Sequence, residues 1–351
     1  MLTQIPDEER SARERELLEA GRRGDEATFT TLVAPYRTEL HAHCYRMLGS
    51  IHDADDALQN SLLGAWRGLD RFEGRSSLRS WLYRITTHAC LRLLEQRPKR
   101  LLSVDYVSAI APDAEIGQPL TDRAWLEPYP DDNFDLATPE ARYELRESVE
   151  LAFVAALQHL PARQRAVLIL REVLGYRAAD VAELLDTSIV SVNSALQRAR
   201  KTLDGRVPER SQQATLKSLG EDGERHLVEA FVSAWENADV ATLVSMLAKD
   251  ARFTMPPLPA WLDGPDDISG FMSRRLFATP WRLQPVRASG QLAFVCHQGN
   301  EAGTEFVRGA LNVLTLDADG QISELTGFVD PAISRRFVRV DGVDEGWGIA
   351  P

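Results

Sequence analysis

The sequence predicts a multidomain chain: two all-α segments, the second containing a helix-turn-helix, followed by an α+β cone. Three observations predict it. Apolar residues recur at helical spacing from Phe29 to Leu203. Within that span, Leu160–Leu203 (LPARQRAVLILREVLGYRAADVAELLDTSIVSVNSALQRARKTL) holds two short apolar-faced helices, a tight turn and a third helix with polar and basic residues outward. From Glu224 the pattern changes to two helices and then to runs of strand length.

At 351 residues the chain should hold two or three domains, and 44% hydrophobic residues suffice for packed cores. No apolar run reaches the length of a membrane span, and the charged N-terminus lacks a signal core, so a cytoplasmic protein without membrane contact is expected. Cys44, Cys90 and Cys296 are few, scattered and odd in number, as reduced structural thiols are. No metal site, cofactor or catalytic residue is assigned. The net charge of −12 argues superficially against nucleic acid, yet charge is segregated. Arg71–Arg100 holds eight Lys/Arg against two acids, whereas Asp105–Glu147 holds eleven acids against three Arg. A basic block followed by an acidic linker is compatible with local DNA contact.

In chain order, Asp25 or Thr28 caps a helix carrying Phe29, Leu32, Val33 and Tyr36, with Pro35 near its first turn. A longer helix runs through Leu40, Cys44, Tyr45 and Leu48 to Gly49. The next opens at His52–Asp56, its acids favoured by the helix dipole, with Ala57, Leu58, Leu62, Leu63 and Trp66 as its apolar face. Asp70–Ser80 (DRFEGRSSLRS) reads as a loop, and WLYRITTHACLRLLEQ as a helix ending before Pro98. In the helix-turn-helix, Gly175 stops the first helix and Asp186-Thr187-Ser188 makes the turn. Val192, Leu196 and Leu203 bury one face of the last helix. Tight helical pairs with solvated outer faces are common. DNA binding is favoured here by Arg198, Arg200 and Lys201 beside small hydroxyl and amide residues, a set suited to phosphates and base edges.

The stretch DADDALQNSLLGAWRGLDRFEGRSSLRSWLYRITTHACLRLLEQRPKR resembles the second conserved region of extracytoplasmic-function sigma factors. The helix-turn-helix, from Leu160-Pro161 and Gln164-Arg165 onward, resembles their fourth region. The resemblance implies that a loop and helix carrying Arg71, Phe72, Arg75, Ser76, Ser77, Arg79 and Arg84 read the minus-ten element. Basic and aromatic groups are what capture of an unstacked base requires. It implies that Ser188, Ser191, Asn193, Ser194, Gln197, Arg198 and Lys201 face the minus-thirty-five element. It also makes Asp53, Asp55, Asp56 and Gln59, otherwise ordinary helix-start residues, a contact for the β′ clamp of RNA polymerase core, with the β flap as the core's second contact. For Trp81, core packing competes with a DNA role. Asn193 and Ala195 stand where many members carry Lys and Arg, which bears on affinity and promoter sequence.

The linker from Leu101 to Thr138 is long, acidic and rich in proline. Its cluster Trp125, Leu126, Pro128, Tyr129 and Pro130 reads as exposed aromatics in a docking segment, with incidental packing as the competing reading. After a polar connector, AWENADVATLVSMLAKDARFTMPP and LNVLTLDADGQISELTGF resemble SnoaL-like polyketide-cyclase domains. Strands are expected at Leu283–Ala288, Leu292–His297, Ala310–Leu316 and Ile322–Phe328, the last two joined at Asp317–Gly320. The cone's mouth would admit a small-molecule ligand, lined by Trp235, Phe253, Trp261, Trp281 and His297, although each aromatic also suits a packed core.

The chain is thus expected to hold a sigma region 2 domain (14–100), an acidic linker (101–138), a region 4 helix-turn-helix domain (139–204), a connector (205–223) and a SnoaL-like domain (224–340). It would bring RNA polymerase core to promoter DNA and initiate transcription. The cone would touch the linker and the sigma domains and replace a separate anti-sigma factor. The alternatives are a one-component ligand-binding regulator and a SnoaL-type enzyme with a DNA-binding appendage. The Asp53–Gln59 face and the Arg71–Arg79 loop have no use in a simple repressor.

Overall fold

The computed structural model describes residues 7–97, 99–120, 124–131 and 139–337. Pro98, linker positions 121–123 and 132–138, and the expected end of the cone at residue 340 lie outside the described residues. In chain order the helices begin with α1 (Asp7–Arg22), α2 (Glu26–Val33), α3 (Arg37–Leu48), α4 (Ile51–Gly68), α5 (Leu78–Gln96), α6 (Ser103–Tyr106), α7 (Pro139–Glu147) and α8 (Leu151–Gln158). They continue with α9 (Ala162–Leu168), α10 (Ala178–Leu184), α11 (Ile189–Leu203), α12 (Gln212–Glu236), α13 (Val240–Ser245), α14 (Pro265–Arg274) and α15 (Pro331–Ser334). The chain divides into two compact units, Met1–Arg97 with His159–Asp204 and Pro98–Gln158 with Gly205–Pro351.

The first unit is helical, and local chemistry sets its boundaries. Asp25 is the cap of α2, accepting from the Ala27 and Thr28 N–H groups at 3.1 and 3.2 Å. Pro35 falls in the 3₁₀ turn that follows α2, not in that helix's first turn. Gly49 ends α3 in the left-handed region (φ 70°), and the Ser50 hydroxyl caps α4 through the Asp53 N–H at 3.1 Å. Leu63 is 46% exposed, although the sequence pattern puts it on the apolar face of α4. Leu58, Ala65 and Leu69 define the buried stripe, and Leu63 is turned about 100° from its neighbour Leu62. Helix α5 starts three residues before Trp81 because the Ser77 hydroxyl caps it through the Ser80 N–H at 3.1 Å.

Helix α9 runs into one π turn (Ile169–Val173), stops at Gly175 and is followed by α10. Asp186, in the left-handed region, makes the turn to α11, whose buried stripe is Val192, Ala195, Leu196, Ala199 and Leu203. Arg165 is 2% exposed and donates to the Met47 carbonyl at the end of α3 and to the Leu160 carbonyl at 3.2 Å. Burial pushes its guanidinium down to about 10, so it stays charged at neutral pH.

The second unit is built on one six-stranded sheet in the order β2-β1-β6-β5-β4-β3. Its strands are β1 (Leu247–Thr254), β2 (Trp261–Asp263), β3 (Trp281–Ala288), β4 (Gln291–Gly299), β5 (Phe306–Leu316) and β6 (Ile322–Phe328). All pairings are antiparallel except β1 with β6. The four expected strands are β3 to β6, and the Asp317–Gly320 turn joins β5 to β6. The three-residue β2 and helix α14 have no counterpart among the elements expected from the sequence. One face packs against α12, α13 and α14 through Phe231, Trp235, Phe253, Phe271 and Phe294, with the Phe231 and Phe294 rings stacked at 4.7 Å.

Linker residues reach both edge strands of this sheet. At the β2 edge the Ile110 N–H donates to the Trp261 carbonyl at 2.9 Å, and Trp261 Nε1 donates to the Val107 carbonyl at 2.8 Å. At the β3 edge Pro130 bridges Ala288, Tyr129 N–H donates to Ser289 Oγ at 2.9 Å, and Ser289 N–H donates to the Tyr129 carbonyl at 2.6 Å. Edge strands left open invite foreign pairing, and this segment occupies Trp261 on β2 and the end of β3 at Ala288.

Helix α12 begins inside the expected polar connector and breaks at Gly220 (φ 70°). Gln212 and Gln213 are buried there because they have main-chain partners. Gln212 donates to and accepts from Leu316 at 2.8 Å each way, and Glu150 Oε1 accepts from the Gln213 N–H at 2.9 Å. Glu150 is 6% exposed, and burial pushes its carboxyl up to about 7 despite these N–H bonds. A folded-state value above the ordinary one stabilises the fold at low pH, and that contribution disappears as pH rises through about 7. Glu150→Gln should therefore be more stable than the parent at pH 8, by on the order of 2 kcal/mol, and should lose that advantage near pH 5. Denaturant unfolding at the two pH values checks this; equal stability differences at both would refute it.

Candidate nucleic-acid interface

The loop between α4 and α5 presents only part of the expected minus-ten set. Arg71, Arg75, Ser76 and Ser77 are exposed, with Arg75 near Glu73 at 3.1 Å. Phe72 is 6% exposed and its ring lies 4.9 Å from that of Trp81, so it is a core residue. Arg79 sits in α5 and grips Glu39 with two nitrogens, Nε to both oxygens at 3.0 Å and Nη2 to Oε2 at 2.6 Å. Its guanidinium also lies over the Tyr83 ring at 4.9 Å and the Tyr176 ring at 5.9 Å. Burial, then Glu39, pushes the Tyr83 phenol upward. Arg84 is exposed and donates to Asp186 at 2.9 Å, in the turn of the helix-turn-helix. His88 Nε2 meets the Leu184 carbonyl at 3.0 Å. Helix α5 thus carries both expected DNA-contacting arginines and the seat of α10.

Helix α11 displays its polar face. Ser188 caps it, accepting from the Ser191 N–H at 3.2 Å, and Asn193, Gln197, Arg198 and Lys201 are exposed, with Ser194 half-buried. Arg200 is held by Glu172, with Nε to Oε1 at 2.6 Å. Two residues absent from the expected set open the helix in the exposed class: Ile189 at 48% and Val190 at 75%. Their signal in the sequence is that neither falls on the buried stripe.

Comparison with known families matches three regions of the chain. Residues 32–100 match the family described as Sigma-70 region 2, residues 150–203 Sigma-70, region 4, and residues 228–325 the SnoaL-like domain. The chain is 41% identical over 322 residues to the ECF RNA polymerase sigma factor SigG of Mycobacterium tuberculosis, covering 90% of this chain and 84% of that one. The chain belongs to the extracytoplasmic-function sigma factors. It is also 31% identical over 204 residues to the RNA polymerase sigma-H factor of Pseudomonas aeruginosa, covering 58% of this chain and 95% of that one. The crystal structure of the Mycobacterium tuberculosis sigma factor SigJ shares the fold, with a TM-score of 0.54 at 20% identity over 85% of this chain and 95% of that one. No helix among the described residues is long and apolar enough to cross a membrane.

In this sigma factor the acidic start of α4 is only partly displayed. Asp53 is 3% exposed and paired with Arg97, whose Nη2 also lies 3.7 Å from Asp56. Asp55 is exposed and 3.0 Å from His41 Nε2, and Gln59 is exposed. The linker aromatics are buried, not exposed. Trp125, Leu126, Pro128, Tyr129 and Pro130 all fall in the buried class. Trp125 packs edge-on against Tyr106 at 4.9 Å and donates to the Leu120 carbonyl at 3.1 Å. Leu126 N–H and Leu101 N–H tie Leu101 to Ala124–Leu126 at 3.2 Å each.

The five expected pocket residues are not brought together. Trp235 and Phe253 are buried in the helix-covered core, and the half-buried Trp281 packs against it. Trp261 pairs with Thr254 while Leu262 pairs with Phe253, so strand alternation turns Trp261 to the opposite face. His297 pairs with Arg282 and is 4% exposed. A cleft of about 410 Å³ opens elsewhere, among Asp131, Arg146, Glu224, Arg287 and Phe337.

The two arginines of the α4–α5 region are separable by stability. Arg79→Lys loses a bidentate pair and ring contacts and should destabilise the protein by about 1–3 kcal/mol. Arg75→Lys, at an exposed pair, should stay within about 0.5 kcal/mol of the parent. Denaturation midpoints decide; equal effects would contradict a packing role for Arg79.

Proposed function

We propose that this sigma factor brings RNA polymerase core to promoters of two-part form and that its SnoaL-like domain tunes the step in place of a separate anti-sigma protein. Arg71, Arg75, Ser76, Ser77 and Arg84 meet the minus-ten element, with Arg79 and Phe72 shaping the surface from within. Ser188, Ser191, Asn193, Ser194, Gln197, Arg198 and Lys201 meet the minus-thirty-five element. Asp55, Asp56 and Gln59 contact the β′ clamp, with Asp53 holding Arg97 beside them, and region 4 contacts the β flap.

The observation that carries the tuning is the attachment of the linker to both edge strands of the cone's sheet, through Ile110–Trp261 and Tyr129–Ser289 hydrogen bonds. The segment that joins the two promoter-contacting regions is thereby folded as part of the cone. Any change in the cone changes the length and direction of the connection. The Arg84–Asp186 pair adds to this, since the same guanidinium serves the minus-ten surface and the turn of the helix-turn-helix. The aromatic filling of the helix-covered face favours a regulatory cone over a catalytic one.

Run-off transcription with core polymerase tests the reading, using the intact chain, a chain ending after Arg210, and Trp125→Ala. Templates differ in the distance between the two promoter elements. Both variants should change yield or the preferred spacing by at least about fivefold, the lower end of ordinary coupling between sites. Behaviour like the intact chain in both would end the tuning proposal while leaving the sigma assignment in place.

A further inference from the structure

We infer that Val190 reads the methyl group of a thymine in the upstream promoter element, so that part of this protein's promoter choice rests on an apolar contact. The inference builds on the assignment of α11 to the minus-thirty-five element. Val190 is 75% exposed, the most exposed large hydrophobic residue among those described, and it stands two residues after the cap Ser188. The buried stripe of α11 is Val192, Ala195, Leu196, Ala199 and Leu203, so Val190 does no packing in the helix-turn-helix core. Nor does it serve the helix itself, because a β-branched residue is a weaker helix former than alanine.

Its neighbours on the helix surface say what it faces. Asn193, Ser194, Gln197 and Lys201 follow at three, four, seven and eleven positions, the spacing of one stripe. This is the stripe expected to enter the major groove, and the first turns of a recognition helix are those that meet base edges. In that groove the one apolar group offered by a base pair is the thymine C5-methyl. Between Ile189 and Gln197 the helix has no Arg or Lys, so its first two turns lack the side chains that grip guanine. Asn193 and Gln197 instead carry the amide that pairs with adenine. A valine beside two amides fits A·T pairs, with the methyl on one strand and the adenine edge on the other.

The test uses core polymerase, the full-length protein and templates enriched by transcription from a pool randomised across the upstream element. The enriched templates should share a thymine at one fixed position. Replacing that thymine by deoxyuridine removes only the methyl and should lower run-off about three- to fivefold, the factor one buried methyl group is worth. Val190→Ala should transcribe the thymine template at that lowered level and show no further loss on deoxyuridine. Being exposed and a better helix former, the alanine leaves the fold intact, which an unchanged melting temperature confirms.

The inference is overturned if no thymine is fixed, if deoxyuridine is silent at every position, or if parent and Val190→Ala lose equally. A uniform loss by Val190→Ala on all templates also overturns it and assigns the side chain to a protein contact. Absence of promoter-dependent run-off by the parent on any template would count against the sigma reading itself and is separable from these results.

Discussion

A six-stranded open sheet has two edges, and in this protein both are met by the segment that connects regions 2 and 4. That single constraint organises the rest of the second unit. Ile110 reaches the β2 edge, and Tyr129, Pro130 and Asp131 reach the end of β3, where the Gly290 N–H donates to Asp131 at 2.8 Å. The Ile110–Trp261 and Tyr129–Ser289 bonds include main-chain pairs that survive side-chain replacement in the linker, whereas the Gly290 bond depends on the Asp131 carboxylate. The proline-rich composition suits an edge-covering segment, because Pro128 and Pro130 hold the chain extended and so lower the entropy lost when it is laid against the sheet. The acidic and aromatic residues of the linker then belong to a folded layer, and the apolar ones are buried for the ordinary reason.

This layer extends into the start of region 4. Glu150 and Leu151 bond to Gln213 and Gln291, so the first residues of the family's fourth region fold with the sheet while the helix-turn-helix itself folds with α3 and α5. The unit boundary at His159 therefore falls inside the region 4 match. A sequence motif and a compact folding unit are different things here, and regulation through the cone would act across the offset between them.

Local signals explain most of what the sequence made legible. Caps at Asp25 and Ser188, the stop at Gly49, the alternation in β3 to β6 and the Asp317–Gly320 turn are all written within a few residues of where they act. Partners far along the chain explain the rest. Arg79 reads as a DNA contact until Glu39 is seen beside it, and Asp53 reads as a displayed acid until Arg97 covers it. Gln212 and Gln213 read as solvated connector, yet each answers a buried main-chain group. Trp125 and Tyr129 read as exposed aromatics because the sequence does not announce their partners, Tyr106 and Leu120 for Trp125 and Ser289 beside β3 for Tyr129. Composition reports what a residue can do, and the distant partner decides which capacity is used.

The same distinction sorts the contacts that hold α9–α11 to the first five helices. Arg84–Asp186 is an exposed pair, of a kind worth about 0–1 kcal/mol and weakened by salt. Phosphate oxygens would compete for Arg84 on better terms than a single carboxylate, since a charged groove gathers many such contacts at once. Arg165 is different. Its bonds run to carbonyls in a buried site, and weakening hydrogen bonds to a desolvated guanidinium costs more than breaking an exposed pair. The Arg84–Asp186 pair can therefore be given up at small expense, whereas moving α9 away from the end of α3 requires a replacement for the Met47 carbonyl. The polar face of α11 is already exposed, so its display does not depend on breaking the Arg165 contact.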